Sequence, residues 1–221
     1  MAKRRKAPSL PIEPENDAEQ ASVDALWTSL SALVGQRGYR KILFTSVEPS
    51  AGTTLIAAQS VAALVRNTRK SALLVELDIE SPTLARYVGV PTTPGLAEFL
   101  DGTRLERVAT SVEEVPGLTV IPGGGPREMR PGELASELLQ RELPKLVEKH
   151  DTLFIDAPPI LTHPEMSLVL PHVEGVVLVL RARSSPKDSV RRVERLLGDA
   201  GVPIVGAVLN RYRSDMPFGL E

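Results

Sequence analysis

"KILFTSVEPSAGTTLIAAQSVAALV", residues 41–65, decides how the rest of this chain is read. KILFTS (41–46) is a short apolar run that suits a buried strand, and TTLIAAQSVAALV (53–65) carries apolar residues at helical spacing. Between them Pro49-Ser50-Ala51-Gly52-Thr53-Thr54 must close a tight turn. Gly52 permits a backbone angle that other residues resist. Consecutive backbone N–H groups at a helix start, helped by the helix dipole, form a nest for an anion. Thr54 supplies the kind of hydroxyl that holds Mg²⁺ in a phosphate-binding loop. Such a loop also carries a lysine that reaches the outer phosphates, and here Thr53 occupies that place with a neutral hydroxyl. Taken alone, the segment suits a ligand-free strand–turn–helix as well as a phosphate cradle.

Working outward, further apolar runs rich in Val, Ile and Leu occur at 72–77, 118–123, 152–157, 175–182 and 202–210. Near-continuous runs of this kind are expected of parallel strands covered on both faces. Helical spacing recurs at 21–34, 131–150 and 186–200, with Pro186 and Gly201 as punctuation. Strands alternating with helices predict an α/β fold, a doubly wound and mostly parallel sheet with helices on both faces. In such sheets ligands bind at the carboxyl edge of the strands. That edge would gather 47–54, 78–83, 156–160 and 210–213.

Composition narrows the function classes. The chain has 221 residues, a net charge of −2 and no cysteine. Disulfide and thiolate chemistry are thereby excluded, and the balance gives no general drive toward nucleic acid or an anionic membrane. No apolar run approaches the roughly 20 residues that span a bilayer. The three histidines lack metal-ligand spacing. Residues 1–17 turn from basic through proline-rich to acidic and are expected to form a flexible tail; 18–213 are expected to form the domain and 214–221 a short C-terminal tail.

Several acids fall where chemistry at the rim would need them. TLFIDAPPI (152–160) places Asp156 at a strand end, where an aspartate can hold a Mg²⁺-bound water. ALLVELDIESP (72–82) places Glu76 and Asp78 two apart, on one face if the strand continues. A carboxylate beside a phosphate loop can also accept a hydroxyl proton. The same residues equally suit a turn cap at Asp78 and a surface pair at Glu76. Asn210, at the end of GAVLN, can read an adenine edge or close a turn.

In this order and spacing, the phosphate-loop segment, LLVELDIESP, PGLAEFLDG, LTVIPGG, RPGELASELL, TLFIDAPPI, GVVLVLRA and IVGAVLN resemble the bacterial tyrosine kinases called BY-kinases, of the CpsD/CapB type. These are relatives of the MinD- and ParA-like deviant Walker ATPases, and the resemblance runs from about residue 18 to residue 213. It implies a P-loop NTPase type of sheet and a site for ATP and Mg²⁺. Pro49, Ser50, Ala51, Gly52, Thr53, Thr54 and Asn210 would hold the nucleotide, with Thr54, Asp78 and Asp156 at the metal and Glu76, Asp78 and Asp156 at the chemistry. It further implies a cytoplasmic protein, recruited to the inner face of the membrane by a polysaccharide co-polymerase partner, in capsule or exopolysaccharide synthesis and export.

The departures from the pattern are equally specific. Ser50, Ala51 and Thr53 replace the Gly, Glu and Lys of the family's loop, and Glu76 stands where the family has its aspartate base. Glu80 replaces an arginine. Ala21, Asp24 and Trp27 replace the Glu-x-x-Arg-x-x-Arg positions that assemble the family's rings, so a homo-oligomeric ring contact is degraded. Tyr39, Tyr87 and Tyr212 are scattered rather than clustered in a tail. The expectation is a pseudokinase or weak ATP binder that acts by binding a membrane co-polymerase or an active BY-kinase. One alternative is a working kinase or ATPase with a substitute cation, for which Arg127 and Arg130 are candidates. The other is a ParA- or MinD-like positioning ATPase using the basic cluster Arg181, Arg183, Lys187, Arg191, Arg192 and Arg195. No nucleic-acid partner is otherwise expected.

Overall fold

The computed structural model describes residues 12–14, 16–130, 132–133, 145 and 148–212. The tail expected over 214–221 and most of the helix expected over 131–150 lie outside the described residues. Strands β1 (Lys41–Ser46), β2 (Ala72–Glu76), β3 (Thr110–Ser111), β4 (Leu118–Ile121), β5 (Thr152–Asp156), β6 (Gly175–Arg181) and β7 (Ile204–Asn210) form one sheet. Its order is β3-β4-β2-β5-β1-β6-β7. Every pairing is parallel except the two-residue bridge of β3 to β4, which is antiparallel. The six strands read from sequence all form, each within a residue or two of its expected ends. β3 was not expected, because two residues are too few to show a period.

Alternation along the central strands fills both faces. Ile42, Phe44, Leu74, Phe154 and Val177 pack on one side with helices α1 (Asp17–Gly35) and α2 (Thr53–Thr68). Leu43, Leu73, Val75, Leu153, Ile155 and Leu178 pack on the other. That second face is covered by α4 (Leu96–Leu100), α5 (Leu105–Val108) and α6 (Lys187–Asp199). A short helix, α3 (Leu84–Val88), follows β2 on the first face. The Phe44 and Phe154 rings meet at a tilt with centroids 6.2 Å apart, which locks β1 to β5. Within the expected N-terminal tail, Ile12 is buried in the first face and the Asn16 side chain caps α1 at the Glu19 N–H. Apolar burial and a cap thus anchor the end of that stretch.

The chain runs from β1 to β2 on one side and later adds β6 on the other. β1 is therefore where the winding reverses, and its carboxyl end opens the crevice that doubly wound sheets use for ligands.

Candidate functional site

The loop after β1 is held by conformation and by one distant side chain. Gly52 precedes α2 with φ 89°, and Ser50 adopts φ 61° without being glycine. Left-handed backbone at a non-glycine residue costs about 1–3 kcal/mol and persists where the surroundings enforce it. Asn210, at the end of β7, is part of that enforcement: its Nδ2 donates to the Ala51 carbonyl at 2.8 Å. The positive φ favours glycine at position 52, and a methyl group there would also fall 2.4 Å from the same nitrogen and displace the Asn210 amide. The Asn210 Oδ1 accepts from the Arg211 N–H at 2.8 Å. Both ends of the amide are therefore engaged within the protein. Ala51 is buried, and among the described residues no side chain caps the first turn of α2. The N–H groups there remain directed at the crevice.

Thr54 and Asp156 meet beneath that turn. Asp156 is 1% exposed and receives a hydrogen bond from the Thr54 hydroxyl. Its second oxygen, Oδ2, is buried with no partner among the described residues. Burial and then the neighbouring Glu76 charge push its pKa well above the ordinary carboxylate range, against the Thr54 hydrogen bond. An orphaned carboxylate oxygen beside a hydroxyl, under a turn of free N–H groups, fits a divalent cation with its waters. Thr54 and Asp156 would hold such an ion, with Asp78 nearby in the acidic cluster. It would neutralise charge on a bound polyphosphate. Among the described residues His, Cys, Asp and Glu alone form no group able to hold a metal.

Glu76 is placed differently from what its position in the sequence suggests. It ends β2 in register with Asp156 and is fully buried. Its Oε1 accepts the N–H groups of Thr83 at 2.6 Å and Leu84 at 2.9 Å, capping α3. Its Oε2 accepts the Gly123 N–H at 2.8 Å. Burial raises its pKa, and the three N–H bonds only partly offset this. The carboxylate thus clamps β2, α3 and the exit of β4 together. Gly123 must be glycine here, since a Cβ would lie 2.7 Å from Pro82 Cβ and 3.0 Å from the Asp78 carbonyl. β2 stops at Glu76, so strand alternation does not extend to Asp78. Asp78 instead accepts the Ser81 N–H at 3.0 Å in a turn.

The two arginines considered as relocated cations are elsewhere engaged or distant in role. Arg127 makes a two-pronged pair with Glu133 at 2.9 and 3.0 Å and lies 3.6 Å from Asp101. Arg130 is largely exposed, 4.0 Å from Glu133. Glu80 faces His163 at 3.9 Å and receives the Met129 N–H. On α1, Ala21 and Asp24 are exposed, and the half-buried Trp27 donates to Asp24 at 3.3 Å. Sequence reasoning missed the Glu98 carboxylate, which takes the N–H groups of Gly95 and Gly125 and so shapes the glycine-rich turn after β4. The capping spacing of Gly95 and Glu98 was the available signal.

No family model matches the chain. It is 28% identical over 214 residues to the tyrosine-protein kinase ptk of Acinetobacter johnsonii, covering 95% of this chain and 28% of that protein. It is 27% identical over 177 residues to the putative tyrosine-protein kinase CapB of Staphylococcus aureus, covering 80% and 77%. The chain therefore spans little more than a quarter of the Acinetobacter relative. The kinase domain of the Escherichia coli tyrosine kinase ETK shares its fold with a TM-score of 0.80 at 23% identity, over 100% of this chain and 89% of that one. The septum site-determining protein MinD of Pyrococcus horikoshii, complexed with Mg-ADP, matches with a TM-score of 0.65 at 25% identity, over 80% and 72%. By sequence this chain is similar to the bacterial tyrosine-protein kinases, and it has the fold of the MinD- and ParA-like P-loop ATPases.

Proposed function

We propose that this chain binds Mg-nucleotide weakly, transfers phosphate poorly or not at all, and acts as a regulatory partner in bacterial exopolysaccharide or capsule synthesis. The observation that carries this reading is the state of Glu76. A general base needs a free oxygen facing the hydroxyl it deprotonates; both Glu76 oxygens are occupied by backbone N–H groups inside the protein. The loop also lacks the lysine charge, and losing one donor of that kind typically costs about 10²–10³ in rate. The turn of N–H groups and the buried, unpartnered Asp156 oxygen beside Thr54, by contrast, support a remaining site for Mg-polyphosphate. Binding would then be a signal rather than the prelude to chemistry. Its recipient is a membrane co-polymerase or an active tyrosine kinase, as the resemblance implies.

The test is a pair of measurements on the purified chain. Mg-ATP at millimolar concentration is expected to raise the melting temperature, while ATP turnover and tyrosine autophosphorylation stay near background. Robust turnover that disappears in Asp156→Ala would overturn the proposal, as would the absence of any nucleotide-dependent shift.

A further inference from the structure

Four non-glycine residues among those described have positive φ, and three of them gather at the rim beside the phosphate loop: Ser50, Arg183 at 63° and Arg211 at 57°. Arg183 and Arg211 follow β6 and β7, and the Ala182 N–H donates to the Asn210 carbonyl at 2.9 Å, so the two exits lie side by side. Arg211 is the nearer in bonding terms. Its own N–H is held by the Asn210 side chain, whose other end grips the Ala51 carbonyl beside Gly52. One amide therefore sets both the loop and the backbone of Arg211. The Arg211 Cα is one residue, about 3.8 Å, from that of Asn210, and an extended arginine reaches roughly 7 Å further with ordinary bond lengths. Arg211 is exposed, and no carboxylate is paired with it among the described residues. Arg127, in contrast, is committed to Glu133.

We propose that Arg211 is the cation that meets the phosphates of a ligand in the 49–54 cradle, supplying from β7 the charge that Thr53 does not bring from the loop. A guanidinium with no carboxylate partner among the described residues, held in strained backbone beside an anion nest, has a function that explains the strain. The ligand class is a polyphosphate ester such as a nucleoside triphosphate, and this inference rests on the nucleotide-binding reading above. Arg211 contributes to binding and leaves the occupied Glu76 oxygens as they are.

Calorimetric titration with Mg-ATP, inorganic tripolyphosphate and adenosine tests it on the native chain, Arg211→Gln, Arg211→Lys and the double variant Thr53→Lys/Arg211→Gln. Arg211→Gln is expected to weaken Mg-ATP and tripolyphosphate alike by about 10-fold or more, with a shallower salt dependence. Arg211→Lys should keep most of the affinity, and Thr53→Lys should restore what Arg211→Gln loses. Unchanged melting of each variant confirms that the fold is intact. Arg211→Gln binding tripolyphosphate as the native chain does would overturn the proposal while leaving the nucleotide site standing. A loss confined to Mg-ATP and adenosine would overturn it in favour of a base contact. If the native chain binds none of the three probes, the nucleotide reading and this inference fall together.

Discussion

Replacing Asp156 with asparagine is expected to stabilise the protein and abolish its response to Mg-nucleotide. Asp156 is 1% exposed, has one hydrogen bond from Thr54, and leaves Oδ2 unpaired. Its pKa is raised by burial and by the Glu76 charge. A raised carboxyl pKa means that the folded chain holds the proton more tightly than the unfolded chain. That contribution to stability is fully present below the ordinary carboxylate range and is lost as pH climbs through the raised value. Asparagine cannot ionise, so the buried charge facing the Glu76 charge is removed. A buried polar group left unpaired costs about 1–3 kcal/mol. At about 2 kcal/mol, a domain of this size gains roughly 4–8 °C in melting temperature. Melting curves from about pH 4 to pH 8 provide the assay, and the gain should appear only toward the alkaline end. An equal shift at both ends, or a destabilised variant at the alkaline end, would refute the reasoning. Native Mg-nucleotide binding should for the same reason strengthen as pH rises and Asp156 ionises.

Shortening Glu76 to aspartate removes the reach that lets one carboxylate serve α3 and Gly123 together, and should cost about 1–3 kcal/mol in urea unfolding. An unchanged midpoint would mean the clamp contributes nothing. Thr53→Lys should tighten Mg-ATP by about 10- to 100-fold, the worth of one charge-assisted contact, read by calorimetry. Arg127→Ala should lower stability by about 1 kcal/mol through loss of the Glu133 pair while leaving nucleotide affinity alone; a drop in affinity would identify Arg127 as the relocated cation instead. Asn210→Ala frees the Ala51 carbonyl and should weaken both stability, by about 1 kcal/mol, and nucleotide binding, the latter measured by titration of the folded variant.

The sheet was legible in the sequence because each central strand is buried on both faces and shows it as an unbroken apolar run. The short helices α3, α4 and α5 were not, since four or five residues carry no measurable period. At the rim, chain order located Thr54, Asp156 and Asn210 near one another but could not say what their atoms touch. Glu76 takes its third bond from a residue 47 positions away, and Asn210 grips one 159 positions away. Those pairings follow from strand order, and strand order follows from packing that no local spacing records. The position of Glu76 suggested a base or a surface pair; its burial and three N–H partners appear only when α3 and the exit of β4 are in place.

The two flanks of the crevice differ in stiffness. On the β2 flank, Glu76 rivets three backbone segments into one block. On the β7 flank, the cradle is tethered to the outermost strand by a single amide, and that strand keeps Ile204 and Leu209 open to solvent. Any displacement of the cradle by an arriving anion is therefore resisted on one side and relayed on the other, so the margin of the sheet, not its middle, is where occupancy would be felt from outside.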